Sequence, residues 1–399
     1  MFDLSLYRIE KALAATDNPH LHLPPTIHVA GTNGKCSTIT FMRSILENAG
    51  YKVHQFTSPH LLRVNERIYL AGHDISDEKL NELFQQLVPV AKECELSWFE
   101  FLTLIAMKAF ADVPADVLLL ETGLGGEFDA TNVIPHSVAS VITPISYDHK
   151  QYLGSTLTEI AKAKAGIIKQ NVPVFSAHQE DEVKPILLQK ARYLNSSLHE
   201  ENKGWNVSRE QNQWNLHFEN ESMTLPYPQK LLGSHQLQNA ALAISTLKTL
   251  NIFPLTHSHI CEGIRSAYMP GRLMPVKILP YESEIWFDGG HNPAAAEVLV
   301  DFFKERKEKP LTCIIGMLNT KNPKDFIDTL KLITGQFIFI PISHNSLSLS
   351  PADLCVFEPQ ALQAESLREA LLKAKDNVLI CGSFYLASEV MVPPTENKQ

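Results

Sequence analysis

Short apolar runs alternate with longer amphipathic stretches through the first two-thirds of the chain. Thr26–Ala30, Val53–Phe56, Asp116–Glu121, Val138–Thr143 and Val172–Phe175 read as strands. Between them the spacing of apolar positions predicts helices over Asp77–Cys94, Phe99–Ala111, Thr156–Ala165 and His235–Leu250. Ser76 suits the N-cap of the first of these, with acids in the turn that follows. Strands alternating with helices predict a mainly parallel sheet with helices on its faces. Trp205–Arg209 and Trp214–Glu219 flank the polar turn Glu210–Gln213 and read as a peripheral hairpin.

The alternation breaks at Tyr268–Pro275, where two prolines and a glycine fall within eight residues. A second alternation follows. Ile285–Asp288, Leu311–Gly316, Phe337–Ile340, Leu354–Glu358 and Val378–Cys381 read as strands, and Pro293–Arg306, Pro323–Leu332, Ser366–Lys375 and Tyr385–Val390 as helices. The chain is therefore expected to form an N-terminal domain over 1–269, a linker at 270–275 and a C-terminal α/β domain over 276–399. Pro393–Gln399 reads as a loose tail.

Composition narrows the function classes. With 44% hydrophobic and 20% charged residues in 399, the chain has the make-up of an ordinary globular protein. No apolar run approaches the ~20 residues needed to cross a bilayer, so no membrane association is expected. Met1–Arg8 lacks the basic and apolar regions of a signal peptide. Six scattered cysteines without a CxxC pair speak against a zinc site or disulfide frame and fit the cytoplasm. A net charge of −9 without a basic stripe speaks against nucleic acid. An anionic substrate must then be met by local Lys, Arg or Mg²⁺.

Three segments carry chemistry. Thr26–Ala30 runs into Gly31-Thr32-Asn33-Gly34-Lys35-Cys36-Ser37-Thr38, a strand, glycine loop, lysine and hydroxyls opening a helix. Glycines let backbone N–H groups approach phosphate, Lys35 adds a point charge, and Ser37 or Thr38 can face Mg²⁺. The alternative is a strand-to-helix turn that merely needs flexible glycines. The spacing departs from GxxxxGK[ST]: the first glycine stands three residues before Gly34, and Cys36 separates Lys35 from Ser37. In the second segment the apolar run Asp116–Glu121 ends in an acid before Gly123, Gly125 and Gly126. Glu121 sits where a carboxylate holds Mg²⁺ at a strand's carboxyl end, or is an ordinary strand-end charge. In the third, His149 also follows a strand, and Lys164 lies between alanines in an apolar stretch. A helix-end lysine that snorkels would look the same.

The GTNGK loop resembles that of the Mur-ligase-like ATP-dependent amide ligases. The wider pattern is similar to the bacterial folylpolyglutamate synthase/dihydrofolate synthase family. It comprises TSPHL at Thr57–Leu61, ETGLGG at Glu121–Gly126, DATN at Asp129–Asn132, DH and YLG within Asp148–Gly154, and KAGI at Lys164–Ile167. HQxxNA at His235–Ala240, PGR at Pro270–Arg272 and DGGHNP at Asp288–Pro293 complete it. The resemblance covers nearly the whole chain. It implies an α/β fold: a P-loop-containing, mainly parallel sheet domain and a smaller Rossmann-like α/β C-terminal domain.

The resemblance also implies roles. Ser58, Glu121 and His149 match the family's Mg²⁺ ligands, and Lys164 its carbamylated lysine. A carbamate offers an anionic oxygen where a bare ammonium would repel the ion. Gly34, Lys35, Cys36 and Ser37 match the ATP loop; Asn239, Arg272 and Asp288 match further ATP contacts, with His291 in the family's HNP signature. Ser97, Trp98, Phe99 and Glu100, with Phe128, Asp129 and Ala130, match pterin-binding segments. Trp98 and Phe99 can stack on a flat heterocycle, and Glu100 or Asp129 can hydrogen-bond its edge; core packing is the alternative for either aromatic.

The implied reaction is ATP-dependent addition of L-glutamate to dihydropteroate or a reduced folate through an acyl phosphate. Lys35, Lys164 and His149 are its expected catalytic residues, in a monomer. His149 is also a candidate base, though metal ligation would occupy its lone pair. Two departures stand out. Cys36 replaces a residue that is most often glycine in the family; a helical φ is expected there, since positive φ would cost about 1 kcal/mol. Its thiol is either reactive or a tolerated small residue. Glu127 stands where many relatives carry arginine. Rival readings are a related ligase with another carboxylate acceptor and a non-ligase nucleotide switch. The SWFE and DATN segments speak against the first, and Lys164, His149 and the distant PGR and DGGHNP segments against the second.

Overall fold

The computed structural model describes residues 5–218, 221–306, 311–343 and 345–391. The chain start over Met1–Leu4, Glu219 of the expected hairpin and the tail Pro393–Gln399 lie outside the described residues. The chain forms two compact units. The first takes the chain up to Ser146, Lys150–Gln229 and Gln236–Ala267; the second takes Tyr147–His149, Lys230–His235 and everything from Tyr268 onward. Two short segments thus leave their chain neighbours to join the second unit.

The first unit is built on an eight-stranded sheet. Its order is His73–Asp74, Ile68–Leu70, Val53–Phe56, Val117–Glu121, Thr26–Ala30, Ala139–Ile142, Val174–Ser176 and Leu198–Glu200. The six strands from Val53–Phe56 onward run parallel, and the first two are antiparallel at one edge. Every residue of Val53–Phe56, Thr26–Ala30, Val117–Glu121 and Ala139–Ile142 is buried. Burial on both faces is why these strands read as near-continuous apolar runs instead of alternating ones.

Helices cover the sheet. Trp98–Asp112 packs Phe101, Leu104, Ile105 and Phe110 into one core with Phe56, Leu118 and Leu120. A second core joins Ile142 and Val174 to Ile160 of Leu157–Ala165 and Leu187 of Lys184–Tyr193. Each large apolar side chain buried in this way contributes about 1.5–3 kcal/mol before entropy is counted. The helix Lys35–Asn48 lies against His257–Ser266 so closely that a Cβ on Gly263 would stand 2.6 Å from the Ile45 Cα. The expected hairpin exists as Trp205–Arg209 and Gln213–Phe218, and a third strand, Glu221–Pro226, completes a separate antiparallel sheet.

The second unit holds a six-stranded sheet in the order Met274–Val276, Ile285–Phe287, Asn377–Cys381, Leu311–Ile315, Gln336–Phe339 and Leu362–Gln363. Only Met274–Val276 pairs antiparallel. Trp286, Phe303, Phe326, Leu330 and Phe339 share its core. Leu354–Glu358, expected as a strand, is not one. The segment Pro351–Cys355 is a helix, and the edge strand falls at Leu362–Gln363. Ser350 Oγ accepts from the Asp353 amide at 3.1 Å while Asp353 Oδ2 accepts from the Ser350 amide at 3.0 Å. That capping box, with Pro351 in the first turn, selects helix over the short apolar run.

Candidate active site

The carboxyl ends of three neighbouring central strands converge in the first unit. Thr26–Ala30 leads into the glycine loop, Val117–Glu121 ends in its acid, and Ala139–Ile142 leads to Thr143 and Pro144. The Thr32 amide donates to the Pro144 carbonyl at 2.9 Å, pinning the loop to the neighbouring strand end. Gly31 has no room for a side chain: a Cβ there would stand 1.8 Å from Thr143 Oγ1. Gly34 caps the helix at φ +86°, a left-handed conformation that favours glycine, and a Cβ would meet Asn239 Oδ1 at 2.6 Å. Asn239, buried, is held by donating from Nδ2 to Gln236 Oε1 at 3.0 Å. Two glycines, a lysine and an asparagine thus lie around one helix N-terminus.

Lys35 Nζ donates to the carbonyls of Gly31 at 3.1 Å and Thr32 at 3.3 Å, and lies 3.7 Å from Glu121 Oε1. Glu121 is only 2% exposed. Its other oxygen accepts from the Ser58 amide at 3.1 Å and from the Cys36 thiol at 2.7 Å. Cys36 is in the helix with no positive φ, as expected from its side chain, and it is buried. Ser37 and Thr38 are buried too, and Thr38 Oγ1 has no hydrogen-bond partner among the described residues.

Lys164, in the helix Leu157–Ala165, is buried and donates from Nζ to the Gly31 carbonyl at 2.7 Å. Two lysines therefore meet on one carbonyl oxygen. The glycine turn after Glu121 seats that helix. A Cβ on Gly126 would fall 2.7 Å from the Ala163 carbonyl oxygen, and the Glu127 amide donates to the same oxygen at 2.8 Å. Glu127 itself is exposed.

The aromatic segments lie beside this turn. Phe99 packs over Gly123, where a Cβ would meet its ring at 2.3 Å, and lies 6.0 Å from the Phe56 ring. Trp98 and Phe128 are both 54% exposed, the condition for a flat surface to be offered to a ligand. Glu100 and Asp129, expected to read a heterocycle edge, have other partners. Glu100 closes a capping box, accepting from the Ser97 amide at 2.8 Å, and lies within 3.3 Å of Arg8. Asp129 Oδ2 accepts from the Leu124 amide at 2.7 Å, and its Oδ1 accepts from Thr131 N and Oγ1. Thr131 Oγ1, whose proton goes to Asp129, accepts in turn from His28 Nε2 at 2.9 Å. Burial raises the Asp129 carboxyl pKa against the pull of these donors, and lowers that of His28 to about 3. Both carboxylates brace the segments that carry Trp98, Phe128 and the buried Ala130.

The remaining expected residues belong to the second unit. Asp288, at the end of Ile285–Phe287, accepts from the Leu273 amide at 2.8 Å and the Gly290 amide at 2.7 Å. Burial raises its pKa, with Arg272 and those amides pulling the other way. The Arg272 guanidinium lies 4.4 Å from the Phe384 ring centroid. His291 Nδ1 is 2.9 Å from the Gly289 carbonyl, and its Nε2 is 3.7 Å from Asp148 Oδ2. Asp148 also accepts from Lys321 Nζ at 2.9 Å. Burial works against its charge, but the His291 hydrogen bond and Lys321 hold its carboxyl well below the usual range. His149 lies next to it in a left-handed conformation, φ +51°. Among the described residues no group of three or more His, Cys, Asp or Glu is placed to hold a metal ion.

Comparison with known proteins decides between the ligase readings. The profile of the Mur ligase middle domain matches residues 29–247. The Bacillus subtilis dihydrofolate synthase/folylpolyglutamate synthase is 32% identical over 96% of this chain and 94% of its own length. The chain belongs to this family.

Solved structures agree. Escherichia coli FolC in complex with DHPP and ADP superposes with a TM-score of 0.89 at 30% identity, over 97% of this chain and 92% of that one. A bifunctional folylpolyglutamate synthase/dihydrofolate synthase with Mn, AMPPNP and L-glutamate bound gives 0.88 at 30% identity, over 98% and 94%. In this family member Lys35, Cys36, Ser58, Glu121 and Lys164, flagged separately along the sequence, lie within one connected set of contacts with Gly31. His149, Arg272, Asp288 and His291 form a second neighbourhood around Asp148 and Asp288. Sequence reasoning missed Lys321, Arg8 and the His28–Thr131–Asp129 chain. Lys321 stands in a polar loop without a motif, and Arg8 and His28 are lone polar residues whose partners are distant along the chain.

Proposed function

We propose that this protein is an ATP-dependent ligase that adds L-glutamate to dihydropteroate, to a reduced folate, or to both. The placement of Lys35 carries the reading: it stands at a helix N-terminus between loop carbonyls and the buried Glu121. A phosphate chain laid on the Gly31–Lys35 amides meets that charge and the helix dipole together. The relatives whose structures carry ADP, AMPPNP, DHPP and L-glutamate support the same substrates here. An oxygen of the acceptor carboxylate attacks the γ-phosphorus of ATP, and the bond to the β–γ bridging oxygen breaks, releasing ADP. The glutamate amine then attacks the acyl carbon, the C–O bond to phosphate breaks, and a proton leaves the nitrogen. Lys35 offsets the charge that develops on the phosphate oxygens, which makes catalysis chiefly positioning and electrostatics.

The donor chemistry around Glu121 suits Mg²⁺: a buried carboxylate beside Ser58 offers the hard oxygen ligand that ion takes. Ser58, Glu121 and a carbamylated Lys164, all of the first unit, would hold it, and its positive charge would neutralise phosphate oxygens. Carbamylation forms a bond from the unprotonated Lys164 Nζ to the carbon of CO₂ and releases the amine proton. Gly34, Cys36, Ser37, Asn239, Arg272, Asp288 and His291 are proposed to contact ATP. Ser97, Trp98, Phe99, Glu100, Phe128, Asp129 and Ala130 are proposed to form the pterin segments, with Glu100 and Asp129 acting as braces. All six cysteines are free thiols, which fits the proposed cytoplasmic setting. No helix among the described residues is long and apolar enough to cross a membrane. A monomer is proposed, and sedimentation tests it.

The decisive assay supplies ATP, Mg²⁺ and glutamate with either dihydropteroate or tetrahydrofolate and identifies products by mass. A glutamylated product with one or both acceptors is expected. Product with neither, but with another carboxylate, would overturn the reading.

A further inference from the structure

We propose that Lys321 is a positioning residue that sets the tautomer and backbone conformation of His149. The inference rests on the ligase reading only in taking His149 as a site residue.

Lys321 lies beyond the carboxyl end of the parallel strand Leu311–Ile315. Its side chain is only 10% exposed. An ammonium this enclosed needs partners for its donors. Nζ donates to Asp148 Oδ1 at 2.9 Å and lies 3.4 Å from His149 Nε2. A lysine ammonium has three donors and no acceptor. The imidazole nitrogen that faces it must therefore present a lone pair. That places the ring proton of a neutral His149 on Nδ1 and leaves Nε2 as the basic atom.

The same lysine secures the backbone. His149 is a non-glycine residue at φ +51°, a conformation that costs on the order of 1–3 kcal/mol unless its surroundings hold it. What holds it is Asp148. Oδ1 accepts from the His149 amide at 2.8 Å and from Lys321, and Oδ2 accepts from Asn292 Nδ2 at 3.3 Å. With Lys321 in place, Asp148 Oδ1 bridges the ammonium and the His149 amide. Lys321 thus acts on His149 twice, through the ring and through the carboxylate behind it. Ring orientation and tautomer are set by what the imidazole nitrogens already meet, and here Nε2 meets an ammonium.

Long-range proton–nitrogen correlation spectra of histidine-labelled protein, recorded without nucleotide or metal, test this. Wild type is expected to show His149 with Nδ1 protonated and Nε2 bare; H149A assigns the resonance. Lys321→Met should shift the ring to mixed tautomers, and Lys321→Arg should restore the wild-type pattern. A wild-type ring protonated on Nε2, or an unchanged His149 pattern in Lys321→Met, overturns the proposal. The wild-type spectrum alone decides if Lys321→Met does not fold. Should H149A bind Mn²⁺ and turn over normally while Lys321→Met shifts the ring, the metal reading of His149 fails and the positioning inference stands.

Discussion

Gly31 shows how much a single residue carries. Its carbonyl takes Lys35 and Lys164 together, and its missing side chain is what lets the loop lie against Thr143. Lys35→Met should therefore lower kcat by about 10²–10³-fold, the range for loss of one preorganised charge on a developing oxyanion. Its unfolding midpoint in urea should fall modestly, since the cation beside the buried Glu121 is lost, while the native fraction in the assay stays high. Retention of near-normal kcat would show that Lys35 does not act on the phosphate. Cys36 gives the opposite expectation. The thiol is buried and donates to Glu121, so it is an internal donor and not an exposed nucleophile. Alkylation of the native protein, followed by peptide mass spectrometry, should label Cys36 far more slowly than Cys355, the least buried of the six. Fast labelling of Cys36 that ATP blocks would reverse this reading. The helical φ of Cys36 was legible in its side chain. Its contact with Glu121 was not, because the two stand 85 residues apart.

At the scale of elements, local signals were read well where they were strong. Thr26–Ala30 and Val53–Phe56 form over the residues expected, because buried parallel strands leave an unbroken apolar run. Leu354–Glu358 went the other way, although the capping box that makes Pro351–Cys355 helical was written in Ser350 and Asp353. Glu100 and Asp129 show a subtler limit. Their residue types suit ligand recognition, and each also braces the element that carries its neighbours, which residue type alone does not reveal. Breaking the Glu100 brace should cost about 1 kcal/mol or slightly more, as for loss of a cap with a partly buried ion pair. Thermal melts of Glu100→Gln, Arg8→Met and the double variant check this. The double variant should be less destabilised than the sum of the two single ones, since both remove one pair. Full additivity would mean that Arg8 and Glu100 act independently.

For the whole molecule, acid stability should report the buried histidine under the glycine loop. His28 is fully buried and its pKa is lowered to about 3, from an ordinary 6.5. The unfolded chain then binds a proton that the folded one refuses. The stability His28 permits is complete above pH 6.5 and is lost as pH falls toward 3, at about 1.4 kcal/mol per pH unit. His28→Gln should flatten the urea-denaturation slope between pH 6.5 and 4 by about that amount, and an unchanged slope would contradict it. The family was legible because its motifs recur in order along nearly the whole chain. The grouping of Tyr147–His149 with the second unit was not, since it depends on Asp148 meeting Lys321 and Asn292 far along the sequence. ATP is expected to phosphorylate the folate carboxylate before the glutamate amine attacks it. The most direct test uses an acceptor whose terminal carboxylate carries oxygen-18 and follows the label by mass. One labelled oxygen should appear in the phosphate released with each glutamylated product. Product formed with unlabelled phosphate would contradict the acyl-phosphate account.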